Sequence, residues 1–161
     1  MIKLPKKLNA EILPTNVPSN RFKTEDDGIP ELKVRFIDSF TGHIWGFLVV
    51  DNTRRGTSVG GIRLAQDLTL EEMSRLAYAM TLKNSAACLP FGGGKAGLVV
   101  NPASMVKDPK LKSELIALFA EALFPFDNYI SAPDMGTTEY DIQHIYEFNS
   151  KLLGTALHNR G

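Results

Sequence analysis

Between residues 31 and 154 the apolar period of the chain switches repeatedly between two and about 3.6, and this alternation most constrains the fold. "ELKVRFID" alternates as a strand does, "SFTGH" is a turn, and "IWGFLVVD" is a second strand, so residues 31–51 are expected to form a β-hairpin. "VGGIRL" is a further short strand. A helix should run from Leu70 to about Ala87: Thr69 and Glu72 have the spacing of a capping box, and Leu68 and Met73 that of a hydrophobic staple. "AGLVV" is a buried strand closed by Asn101 and Pro102. Asp108 caps another helix with Pro109 at its first position, and Leu111, Leu115, Leu118, Phe119, Ala122 and Leu123 fall on one face of it. "NYISAP" is a strand and "DMG" a turn; Thr138 with Asp141 then opens a last helix that Gly154 should end.

Strands that alternate with helices build an α/β domain. The expectation is a three-layer fold with a mostly parallel sheet, "AGLVV" central and the hairpin 31–51 at an antiparallel edge. Residues 1–30, rich in Pro, Asn and Lys, should form an irregular arm with a short helix around Leu8 to Ile12, and residues 31–161 a single domain.

Charge and cysteine content narrow the function. Lys plus Arg and Asp plus Glu both number 18, so bulk electrostatics favour neither nucleic acid nor an anionic membrane as a partner. Cys88 is the only cysteine, which rules out an internal disulfide and a cysteine zinc cluster; no metal is expected. The N-terminus lacks the apolar core of a secretory signal, and no run approaches the ~18 apolar residues of a membrane span. A cytoplasmic location is the expectation.

The stretch "LPFGGGKAG" carries the chemistry. Gly92, Gly94 and Gly97 match G-x-G-x-x-G, but a dinucleotide loop follows a strand and opens a helix, and here a helix precedes the glycines and a strand follows them. A Walker loop fails as well, because Ala96 stands where Ser or Thr should. Two readings remain: a tight helix-to-strand turn with a solvated lysine, or a loop that sets Lys95 among bare N–H groups.

Lys83 lies three residues after Met80 and seven after Leu76, which places it on the apolar stripe of its helix. A lysine there either snorkels at the helix end or serves an anion site in a cleft. Asp134 follows a strand and precedes a helix, where open α/β sheets collect ligands. Lys83, Lys95 and Asp134 are therefore expected to converge on one cleft.

Together "VGGIRL", "MTLKNSAACLPFGGGKAGL" and "SAPDMGT" resemble, in order and spacing, the N-terminal substrate and oligomerisation domain of the glutamate/leucine/phenylalanine/valine dehydrogenases over roughly residues 30 to 160. The resemblance implies NAD(P)-linked oxidative deamination of an L-amino acid to a 2-oxo acid and ammonia. By position it implies that Lys83 binds the substrate α-carboxylate, that Lys95 is the catalytic lysine and Asp134 the acid/base aspartate, and that Gly60 and Gly61 form a wall of the substrate pocket. A lysine can polarise the carbonyl oxygen or the attacking water, and a carboxylate beside it can take and return protons.

Glutamate-specific members resemble "KGGLR" at the first glycine pair, where this chain has Val59. An apolar residue cannot pair a buried carboxylate, so an aliphatic or aromatic substrate is expected. The family's nucleotide-binding domain follows at about the point where this chain stops, so neither NAD nor NADP is expected to bind these residues alone. Phe36, Ile44, Trp45, Phe47 and Leu48 give the hairpin more apolar surface than an edge usually leaves in water, which points to a homo-oligomer through the hairpin. A non-catalytic module that assembles subunits or binds an amino acid is the alternative, and a Schiff-base role for Lys95 a third reading.

Overall fold

The computed structural model describes residues 3–15 and 29–158, with side chains as far as residue 150. Six strands form one sheet in the order β1-β2-β3-β5-β4-β6. They are β1 (Leu8–Leu13), β2 (Leu32–Asp38), β3 (Ile44–Asn52), β4 (Ser58–Ala65), β5 (Gly92–Val99) and β6 (Tyr129–Pro133). The helices are α1 (Leu70–Ala86), α2 (Pro102–Lys107), α3 (Pro109–Leu123) and α4 (Glu139–His158).

The expected three layers are present. Ile62, Leu64, Ala96 and Leu98 point to one face of the sheet, where they pack with Leu115, Ile116, Phe119, Ile142 and Ile145 of α3 and α4. Phe47 and Val49 point to the other face, against Met73 and Ala77 of α1. Four of the six strands run in one direction, and β4 pairs parallel with both β5 and β6. The antiparallel portion is wider than one hairpin, because β1, β2, β3 and β5 are joined by three antiparallel pairings.

The helix expected around Leu8 to Ile12 is instead strand β1, paired with β2 from Leu8 opposite Asp38 to Leu13 opposite Lys33. Six residues cannot hold a helix without support, whereas the outer edge of β2 offers them a row of backbone partners. Glu11 and Arg35 add a cross-strand ion pair at 2.5 Å. The hairpin β2–β3 is consequently not at an edge. Most of its apolar strand residues are covered within the chain, since Phe36 and Leu48 are fully buried and Trp45 and Phe47 are only 7% exposed, whereas Phe40 in the turn is 78% exposed. Residues 16–28 of the expected irregular arm lie outside the described residues.

The starts of α1 and α3 follow their sequence signals closely. Thr69 accepts the Glu72 N–H at 3.1 Å, and Asp108 accepts that of Leu111 at 3.0 Å. Asn101 and Pro102, expected to close a strand, also start the short helix α2, where Asn101 accepts the Ala103 N–H at 2.9 Å. Helix α4 runs through Gly154 to His158. An interior glycine costs a helix only about 1 kcal/mol, too little to end it.

The glycine run is not a loop. Gly92, Gly93, Gly94 and Lys95 all belong to β5, which pairs with β3 on one side and β4 on the other. Absent side chains let the helix approach the sheet here. A methyl group on Gly93 would collide with Thr81 of α1, and one on Gly94 would sit 2.8 Å from the Tyr129 ring on the opposite face.

Candidate active site

Strand alternation assigns each side chain to a face. Gly93 and Gly97 of β5 face α1, at Ala77 and Thr81 and at Leu68 and Met73 respectively, so Lys95 between them faces α1 too. On β4 a methyl group at Gly61 would lie 2.6 Å from the Asp134 Cβ, which puts Val59, Gly61 and Arg63 on that same face. Helix α1 packs over β5 and β3 and barely over β4. The β4–β6 half of this face is therefore left without a helix. Val59 stands opposite Ile130, itself 36% exposed, and Gly61 stands opposite Ala132. The result is a shallow apolar floor with Lys95 along one side and Asp134 at its end.

Asp134 sits just past the last residue of β6 in a turn bound to β4. Its N–H donates to Thr137 Oγ1 at 2.9 Å, the Thr137 hydroxyl donates to the Ile62 carbonyl at 2.7 Å, and the Leu64 N–H donates to the Met135 carbonyl at 2.8 Å. The carboxylate oxygen Oδ2 pairs with Lys95 Nζ and, at 3.3 Å, with Arg63 Nε. Lys95 is only 7% exposed at the side chain and Asp134 18%. Burial alone would push the Asp134 carboxyl up. The Lys95 hydrogen bond, the Met135 N–H and the charges of Lys95 and Arg63 outweigh it and hold the carboxyl below the usual aspartate range. Asp134 is thus ionised at neutral pH.

Lys83 requires a correction. It is exposed, and the residue of its turn that reaches the sheet is Asn84, whose side-chain amide donates to the Gly92 carbonyl at 2.7 Å. The buried stripe runs through Met73, Ala77 and Asn84, one position removed from the stripe inferred from Leu76, Met80 and Lys83. No ion pair or hydrogen bond joins Lys83 to Lys95 or Asp134 among the described residues. Glu72, Leu76, Met80 and Lys83 nevertheless share one flank of α1 at helical spacing. Glu72 turns that flank toward β4, since it accepts from Arg63 Nη1 at 3.1 Å.

Gly60 faces away from the floor, and its carbonyl accepts from the Tyr129 hydroxyl at 2.6 Å. Burial, with smaller effects of Tyr146 and Asp134, pushes the Tyr129 phenol far up, so it remains a donor. Gly61 alone of the glycine pair borders the floor, together with Val59.

Sequence reasoning missed Arg63, Thr137 and Ile130. Arg63 was legible from alternation, two residues beyond Gly61 on the same strand. Glu72 was read only as a capping residue, yet its carboxylate reaches Arg63.

The model of the Glu/Leu/Phe/Val dehydrogenase dimerisation domain matches residues 31–151. The chain belongs to this family. Among curated relatives, glutamate dehydrogenase of Thermotoga maritima is 37% identical over 111 residues, covering 68% of this chain and 26% of that protein. The NADP(+)-dependent glutamate dehydrogenase of Pyrobaculum calidifontis is 37% identical over 112 residues, with the same coverage of 68% and 26%. The chain thus spans about a quarter of the length of these relatives. A hetero-hexameric glutamate dehydrogenase from Thermus thermophilus, in a Leu-bound form, superposes with a TM-score of 0.65 at 29% identity, over 93% of this chain and 32% of that one. L-tryptophan dehydrogenase from Nostoc punctiforme shares the fold, with a TM-score of 0.57 at 23% identity over 65% of this chain and 31% of that one.

The three glycines that match a dinucleotide phosphate loop in spacing do not form one. Gly92, Gly94 and Gly97 are bonded into β5, and the space a side chain would take at each is filled by protein atoms. Among the described residues no helix is long and apolar enough to cross a membrane.

Proposed function

We propose that this chain is the substrate-binding and oligomerisation domain of an NAD(P)-dependent L-amino-acid dehydrogenase, with an aliphatic or aromatic amino acid as substrate. The buried Lys95–Asp134 pair beside Gly61 carries the reading. A substrate lying on the floor brings its α-carbon beside the two groups. Lys95 donates a hydrogen bond to the oxygen that becomes, or derives from, the 2-oxo group, and stabilises negative charge as it develops there. Asp134, ionised and partly exposed, takes a proton from the substrate ammonium and returns it when ammonia leaves. Lys83 holds the α-carboxylate from the flank of α1 by a charge-assisted bond. Gly61 leaves room for the substrate at the wall, and the Gly60 backbone continues it.

Val59 and Ile130 support the choice of substrate. Both are apolar and face the floor, and neither can pair a side-chain carboxylate. The test is the complete protein that carries this chain, assayed for oxidative deamination of a panel of L-amino acids with NAD and with NADP. Apolar amino acids should be oxidised in preference to glutamate, and Val59→Lys should move the preference toward glutamate. A wild-type preference for glutamate would overturn the specificity, and failure to oxidise any amino acid would overturn the activity. Self-association into a homo-oligomer is part of the proposal, in keeping with the dimerisation-domain family, and is read by sedimentation.

A further inference from the structure

Arg63 joins three elements through one guanidinium. It stands on β4, its Nε donates to Asp134 beyond β6 at 3.3 Å, and its Nη1 donates to Glu72 in the first turn of α1 at 3.1 Å. Its side chain is 18% exposed, and that of Glu72 34%. Arginine suits this place because its planar fork fixes two acceptors at once and stays charged at any working pH. Lys95 and Arg63 both approach the same carboxylate oxygen, Oδ2 of Asp134, from β5 and β4.

We propose that Arg63 is the positioning residue of this site: held by Glu72, it fixes the Asp134 carboxylate in direction and in its ionised form, so that Lys95 and Asp134 act as a unit. The inference rests on the role given to Asp134 above. The charged and titratable groups around Asp134 are few. Lys95 faces it from β5 and Arg63 from β4, while the Tyr129 phenol of β6 is neutral and turned to the opposite face, toward the Gly60 carbonyl. Glu72 of α1 reaches it through Arg63, and Lys83 lies farther along that flank without a bond to it. Lys95 pairs with Asp134, but it cannot hold both ends of the arrangement. Without Arg63 the carboxylate keeps only Lys95 and the Met135 N–H, and α1 loses its ion-pair tie to β4.

Two measurements test this, and only one depends on activity. In this chain, the Asp134 carboxyl is titrated by carbon-detected NMR. Arg63→Met should shift its midpoint upward, because an attractive charge is gone. In the complete protein, Arg63→Met should lower kcat about 10- to 100-fold and move the acid limb of kcat/KM in the same direction as the NMR midpoint, with a smaller change in KM. Arg63→Lys keeps the charge but cannot span both carboxylates. It should restore the midpoint and recover only part of kcat. A folded Arg63→Met chain with an unmoved Asp134 midpoint overturns the proposal. Should that variant fail to fold, Arg63→Lys decides, since full kcat with that substitution overturns it equally. A shifted midpoint in a protein that oxidises no amino acid leaves the Arg63 inference standing and removes the dehydrogenase reading instead.

Discussion

A methyl group on Gly93 would sit 2.5 Å from the carbonyl oxygen of Ala77 on α1. Neither atom belongs to a flexible side chain, so helix and strand would have to separate. Gly93→Ala should therefore destabilise the chain by about 1–3 kcal/mol, as overpacking does. Gly42, with nothing within 4 Å of its missing Cβ, is the comparison site; its φ of +70° leaves only local strain. Equal unfolding midpoints for Gly93→Ala and wild type would contradict this packing.

That contact also explains what the sequence made legible. The helix starts at Thr69 and Asp108 rest on local chemistry, and the strands "VGGIRL" and "NYISAP" on short-range pattern, so all were readable. The glycine run was misplaced because glycine signals a turn locally, whereas here its use is the approach of α1 to a central strand, a relation between residues 16 positions apart at Ala77 and Gly93. Lys83 was placed one position off because two polar residues, Thr81 and Asn84, take the buried side of the helix. Their partners are the Asp51 carboxylate and the Gly92 carbonyl, which no helical period announces. Strand β1 was unreadable for a like reason: only the open edge of β2 makes it a strand.

Lys95→Ala in the complete protein should reduce turnover by roughly 10²–10³-fold, the usual effect of losing one preorganised electrostatic contact. A loop lysine would be removed at little cost to the fold, but Lys95 is buried in a strand and paired with Asp134. A stability loss of about 1–3 kcal/mol is expected, with Arg63 left to compensate in part. Turnover within threefold of wild type would remove Lys95 from the chemistry.

Lys83→Ala separates binding from folding. The side chain is exposed and unpaired among the described residues, so its loss should leave stability within about 0.5 kcal/mol of wild type. KM for the amino acid should rise with little change in kcat, since a carboxylate present throughout the reaction is held equally in ground and transition states. A fall in kcat at unchanged KM would assign Lys83 a different task.

NADH added to this chain should give no saturable fluorescence change. The glycines that match a phosphate loop in spacing have their backbone groups committed to β3 and β4. Saturable binding that Gly94→Ala abolishes, while the fold persists, would reverse that conclusion.

The Asp134 carboxyl ties stability to pH with a definite sign. It is held below the ordinary aspartate range in the folded chain, by Lys95, Met135 N–H and Arg63 acting against burial. The unfolded chain, near the ordinary value of about 3.9, therefore binds this proton first as pH falls. The stabilisation is fully present above that value and is lost as pH drops through the lower folded one. Asp134→Asn leaves Lys95 and Arg63 without their carboxylate, so it should destabilise the chain at pH 7. In denaturant titrations at pH 7, 5, 4 and 3, the gap between wild type and Asp134→Asn should hold from 7 to 5 and narrow below about 4. Lys112 and Asp141, paired at 2.6 Å between α3 and α4, provide the control. Their pair remains intact in the Asp134 variant, so its own loss at low pH cancels from the difference. A gap that stayed constant down to pH 3 would mean that Asp134 is not held ionised by the pair, and the proton chemistry assigned to it would fall with that result.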